Sequence, residues 1–216
     1  YATAAPRTSA ASAAPASFTV PSSRLVEGTN VVAVQTHLNY RGTPDASMEA
    51  TVLLSTEAAP PAEEPPPAEE PPPDEEPPPA EEPPPAGGLE AGSRWSWRYD
   101  AAALPAGWVQ PGFDDSGWSS GEAPLGFGSS LVETVIHTGA TSTRPLSAQF
   151  RAEFEVDDLQ EWESAVVTAW IDDGAIVYLN GVEVGRGNLP SGAISQGSYA
   201  TAAPRTSAAS AAPASF

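Results

Sequence analysis

Three side-by-side carboxylate pairs stand in turn-like settings: Asp114-Asp115 in "FDDSG", Asp157-Asp158 in "VDDLQ" and Asp172-Asp173 in "DDG". Hard oxygen ligands on loops suit calcium, and Asp172 and Asp173 are the best candidates of the six for a structural calcium ion. The competing chemistry is local, because an Asp in such a turn bonds a backbone N–H of its own turn. Six tryptophans offer a second kind of chemistry, the stacking of an exposed indole on a sugar ring. Trp95, Trp97, Trp108 and Trp118 occupy patterned positions of the kind that fill a core. Trp162, in "DLQEWESA", is the tryptophan expected at the surface and the carbohydrate candidate. Catalysis has little to draw on. His37 and His137 are the only histidines, lysine and cysteine are absent, and neither "DASM" nor "GSS" is a nucleophile elbow. His37, within "AVQTHL", reads as a sheet residue rather than a base. The chain is not expected to be an enzyme, and it can form neither a disulfide nor a thiolate metal site.

The charge balance points away from two classes of partner. Nine arginines face 28 acidic residues, for a net charge of −19. A surface of that sign repels nucleic acid and anionic lipid and keeps crowded copies soluble. No apolar run is long enough to span a bilayer, so membrane insertion is not expected.

Any such site has to be positioned by strands. "AQFRAEFEV" alternates, with Ala148, Phe150, Ala152, Phe154 and Val156 on one face and Gln149, Arg151, Glu153 and Glu155 on the other. "RWSWRYD" places Trp95, Trp97 and Tyr99 on one side. In "AIVYLNGVEVG" the Asn180-Gly181 pair suits the positive φ angles of a type I′ hairpin turn. "TNVVAVQTHL" and "SMEATVLL" supply two more strands, and no stretch carries convincing helical periodicity. The expected fold class is all-β.

Between these strand-rich parts lies a low-complexity segment, residues 58–88, with four hexads "AEEPPP AEEPPP DEEPPP AEEPPP" from Ala62 to Pro85. Triple prolines exclude helix and sheet and favour polyproline II, while like charges extend the segment further. At three residues per turn a hexad makes two turns, so each Glu pair returns to the same side. Fully extended, the segment would span about 95 Å. The expected role is a solvated spacer.

A longer period is written in the sequence as well. "YATAAPRTSAASAAPASF" occupies residues 1–18 and again 199–216, a repeat of 198 residues. The stretch is rich in Ser, Thr, Ala and Pro and reads as a long connection that accepts O-glycans well.

At "DDGAIVYLNGVEVGRGNLPSG" (172–192) the sequence resembles a jelly-roll module common in large secreted bacterial proteins, itself similar to galactose-binding-like carbohydrate-binding domains. The resemblance extends to the opening strand at Trp95–Tyr99, to Trp108, to Phe113–Ser116, to Trp118 and to Ala123–Gly128. It also takes in Phe150, Arg151 and Phe154. The final third of such a module, Phe18–Leu54, stands here ahead of everything else. Read across the period, residues 89–198 followed by 1–57 make one 167-residue sandwich.

The expected organisation is therefore a jelly-roll β-sandwich split by the ends of the given sequence. Residues 1–57 hold its C-terminal strands, 58–88 the polyproline linker and 89–216 the N-terminal part of the next jelly roll. Strands 19–57 are expected to complete an adjoining repeat, through a covalent array or through strand donation between subunits. Closure within one chain is disfavoured by a stiff, self-repelling spacer. The resemblance implies a secreted or cell-surface bacterial protein, a fibre, stalk or adhesin whose partners are copies of itself. Its alternative is a carbohydrate-binding module that tethers a cell or an enzyme to polysaccharide.

Overall fold

A computed structural model describes residues 15–59 and 87–201. The polyproline reading of the spacer and the O-glycan reading of the Ser/Ala/Pro stretch fall largely outside them.

Twelve strands follow one another: β1 (Ala16–Pro21), β2 (Gly28–His37), β3 (Ala46–Ser55), β4 (Gly88–Leu89), β5 (Arg94–Arg98), β6 (Ser119–Glu122), β7 (Leu125–Phe127), β8 (Thr134–Val135), β9 (Ser147–Val156), β10 (Ser164–Asp172), β11 (Gly174–Leu179) and β12 (Val182–Gly187). Only three short 3-10 turns interrupt them among the described residues. One sheet runs β1-β10-β3-β7-β8, with β4 also paired to β3; the other runs β12-β11-β2-β9-β5-β6. Every pairing is antiparallel except β7 with β8. The two sheets pack face to face as an all-β sandwich.

Period-two patterning builds the core. On β9, Ala148, Phe150, Ala152, Phe154 and Val156 are all buried, and they meet Met48, Ala50, Val52 and Leu54 of β3 and Ala165, Val167 and Ala169 of β10. Trp95 is wholly buried among them. At the β11–β12 hairpin Asn180 and Gly181 take φ of 49° and 82°, as the turn chemistry requires. The Asn180 amide does further work there. Its Oδ1 accepts from Val31 N at 2.8 Å, and its Nδ2 donates to Arg24 O at 2.9 Å and to Asn30 Oδ1 at 2.7 Å.

The seating of residues 16–57 differs from the sequence-based expectation. β2 lies between β11 and β9 in the middle of one sheet, and β3 lies between β10 and β7 in the other. Strands assigned to an adjoining repeat are here the central strands of their own chain's sandwich. The physical reason is the position of the spacer's two roots. Leu53 of β3 pairs with Gly88 of β4, and Glu57 O accepts from Ser164 Oγ at 2.6 Å on the adjacent β10. The stiffness argument against closure needs distant roots. These are neighbours.

No helix among the described residues is long and apolar enough to cross a membrane.

Candidate functional site

The polar face of β9 does not meet water. Gln149 and Arg151 point away from the core as the alternation requires, yet both are buried, and Arg151 lies under the loop from Tyr99 to Trp118. Beneath that loop a small second core forms from Val31, Ala33 and Trp108, flanked by Leu104, Val109, Phe113, Trp118 and Tyr178. Arg151 fastens the loop down. Its Nε donates to Asp115 Oδ2 at 2.9 Å, and its Nη1 donates to Trp108 O at 2.5 Å and Gln110 O at 3.1 Å. Its guanidinium carbon stands 5.2 Å from the centre of the Phe113 ring. Charge-assisted bonds of this kind, out of water, set the loop's geometry.

The clamp shapes an open groove of about 490 Å³ at the β5–β6 end of the sheet. Trp97, Tyr99, Phe113 and Trp118 supply its aromatic lining, and Arg98, Asp100 and Asp114 its charged groups. Trp118 is half-buried, held edge-on by Phe113 with centroids 5.8 Å apart and stacked on Trp108 at 6.2 Å. Arg98 grips Asp100 through two bonds, Nε to Oδ2 at 2.7 Å and Nη2 to Oδ1 at 2.8 Å. These bonds hold the Asp100 carboxyl below its ordinary range and raise the guanidinium. Asp114 accepts from Ser116 N at 3.0 Å, and its carboxyl is lowered by bonds from the Ser116 hydroxyl and backbone. Aromatic faces beside fixed hydrogen-bonding groups can hold a flat, hydroxylated ligand.

The residues singled out in the sequence lie elsewhere. Trp162 is only 7% exposed and belongs to the main core, so it offers no face to a sugar. A 3-10 turn at Leu159–Glu161, capped by Asp158 accepting from Gln160 N at 2.9 Å, folds the indole inward. The tryptophans on the groove are Trp97 and Trp118, two of those read as core. Nothing local in "FDDSGW" set Trp118 apart from the core tryptophans, because the loop that carries it is held by Arg151, far away in sequence.

Asp172 and Asp173 are buried where β10 passes into β11. Burial first, and then the Asp173 and Asp45 charges, push the Asp172 carboxyl up to about 8. Asp173 is raised as well, mainly by burial. A side-chain hydrogen bond between the two acts in opposite directions, raising Asp172 and lowering Asp173. Asp173 Oδ2 accepts from Asn39 N at 2.8 Å, and its carbonyl accepts from Asn188 Nδ2 at 2.9 Å. Among the described residues no three acidic or histidine side chains are grouped to hold a metal. Asp173 thus ties down Asn39, just after β2, by its carboxylate and, by its main-chain carbonyl, the segment that begins at Asn188.

That segment, Asn188–Thr201, lies over the end of β2. His37 is wholly buried, its Nδ1 lies 2.9 Å from Ser198 O, and burial lowers its pKa. Ala200 N donates to Leu38 O at 3.0 Å, Thr201 N donates to Asn188 O at 2.9 Å, and Gln196 Nε2 reaches Ala102 O at 3.1 Å beside the groove. His137 instead packs edge-on against Tyr99 at 5.5 Å and Phe127 at 5.7 Å.

No family model matches the chain, and neither a curated protein nor a solved structure matches it.

Proposed function

We propose that the chain is one period of an extracellular bacterial scaffold, in which jelly-roll sandwiches are strung by Pro/Glu spacers into a fibre, stalk or adhesin. In that array the seats that residues 16–57 fill in this chain would be taken by the same residues of the following period, into which residues 89–216 run on. The observation that carries the reading is how the two copies of the 18-residue stretch are used. The second copy is seated by its head, Tyr199–Thr201, on Leu38 and Asn188. The first is seated by its tail, Ala16–Phe18, as the start of β1. Head and tail complement each other as the two ends of a single connection would. The acidic surface favours separation of neighbouring copies over lateral collapse.

A denaturing gel of the protein from its native source tests this. Species of many times 22.2 kDa are expected, and a single 22 kDa band would refute the covalent array.

The aromatic groove favours a second activity on the same module, the binding of a polysaccharide. Trp97 and Trp118 would stack on pyranose faces while Asp100, Asp114 and Arg98 meet the hydroxyls. A glycan array should give reproducible binding to one sugar class, lost in Trp118→Ala; silence of the unaltered chain would remove this reading.

A further inference from the structure

β1 ends one sheet and β12 ends the other, so the sandwich has an open side where these two edges meet. Phe18 closes it. Its ring lies so close over Gly185 of β12 that a Cβ there would stand 2.0 Å from Phe18 Cε1. The backbone around Phe18 pairs with β10, Ala16 with Ala169, Ser17 with Thr168 and Phe18 with Val167, and Ser17 Oγ lies 3.0 Å from Thr168 Oγ1. The seat thus asks for three consecutive residues: a small one, a hydroxyl and a large apolar ring over a bare glycine.

The sequence holds those three residues twice, as Ala16-Ser17-Phe18 and as Ala214-Ser215-Phe216. We infer that the β10 edge and the Gly185 floor form a docking seat for Ala214–Phe216 of the same chain, which occupies it whenever Ala16–Phe18 does not. Reach is no obstacle. Thr201 is bonded to Asn188, three residues beyond Gly185, so the second copy departs about 10 Å from the seat at strand spacing. The twelve residues 202–213 can cover about 40 Å. Seated there, Phe216 would abut Thr19, and Thr19-Val20-Pro21 would continue the same strand. This inference deepens the array reading and rests on it for its biological setting, since in an array every β1 would cross such a seam.

In competition Ala16–Phe18 holds the advantage, because it is continuous with Thr19–Pro21, which pair with Val166–Ser164. The absence of cysteine allows a clean cross-linking test. Directly opposed residues on antiparallel strands lie about 4.5–5.5 Å apart at Cα, within disulfide range. Thr168→Cys with Ser17→Cys serves as the positive control in the full chain. Thr168→Cys with Ser215→Cys should cross-link weakly in the full chain, and several-fold more when residues 1–18 are deleted or, should that deletion fail to fold, when Phe18→Ala is added. The product should be monomeric. Absence of this cross-link in both backgrounds, with the control intact, overturns the inference, and so does a product formed only between chains. Either failure leaves the size of the native polymer untouched, so the array reading is judged separately.

Discussion

The outer faces of the two sheets have parallel sequence patterns and opposite fates. On the β1-β10-β3 sheet the outward residues Thr51, Leu53, Val166 and Thr168 remain at least partly exposed, with Leu53 at 46%, and Glu49 is buried where Gly92 N donates to it. On the β2-β9-β5 sheet Gln35, His37, Gln149 and Arg151 are all buried, and two straps cross there, one meeting Arg151 at Trp108 and one meeting His37 at Ser198. Alternation sets which way a side chain points. What lies above it is decided by loops far away in sequence. A polar residue left under a strap becomes a fastener where the strap offers it partners, as the loop carbonyls and Asp115 do for Arg151.

The comparison can be broken most severely at Arg151. Arg151→Ala leaves Asp115 and two loop carbonyls without their donor, and should cost about 3 kcal/mol in urea unfolding. The open-face change Thr51→Ala should stay within about 0.5 kcal/mol. Equal losses would mean that the strap contributes nothing. Next comes the seam between the sheet edges, where Gly185→Val displaces the Phe18 ring and should cost about 2 kcal/mol with the groove unaffected. Intact groove-ligand binding in that variant would keep the two regions separate.

A smaller effect falls on the anchor of the second strap. Asp172 has its ordinary carboxyl range in the unfolded chain and a raised one, about 8, in the fold. The folded state therefore retains a proton that the unfolded chain has lost, and stability contributed at acid pH drains away as pH rises from about 4 to about 8. Asp172→Asn removes that titration. Its melting temperature should fall less across this interval than that of the unaltered chain, and identical pH profiles would show that Asp172 retains no such proton in the fold. Smallest of all should be Asp114→Ala, which frees one exposed Ser116 N–H and should shift the melting temperature by no more than about 2 °C.

Much of the fold was legible because its signals are local. The β9 alternation, the Asn180-Gly181 turn and the aromatic β5 strand each follow from a few neighbouring residues. The capping role of Asp114 and Asp158 is written just as locally. The candidate site was not. In the sequence Trp118 reads as core and Trp162 as surface, yet a 3-10 turn buries Trp162 and Arg151 holds the Trp118 loop so that its indole stands at a rim. Both outcomes depend on contacts dozens of residues away. Closure of residues 16–57 on their own chain was disfavoured for a similar reason, since the stiffness of a connection says nothing about how far apart its roots stand.

Those adjacent roots carry a mechanical consequence. Gly88 lies directly opposite Leu53, with Glu57 only four residues beyond. In a strung array, tension would enter and leave each sandwich at one corner. Such a load peels the two-residue β4 from β3 bond by bond, where a pull along opposed strand ends would shear many bonds at once. The sandwiches would then hang as pendants beside a Pro/Glu thread, each adding about 14 Å to its length, one interstrand spacing combined with the four residues from Leu53 to Glu57. Span would be a property of the thread, and the pendants would be what it displays.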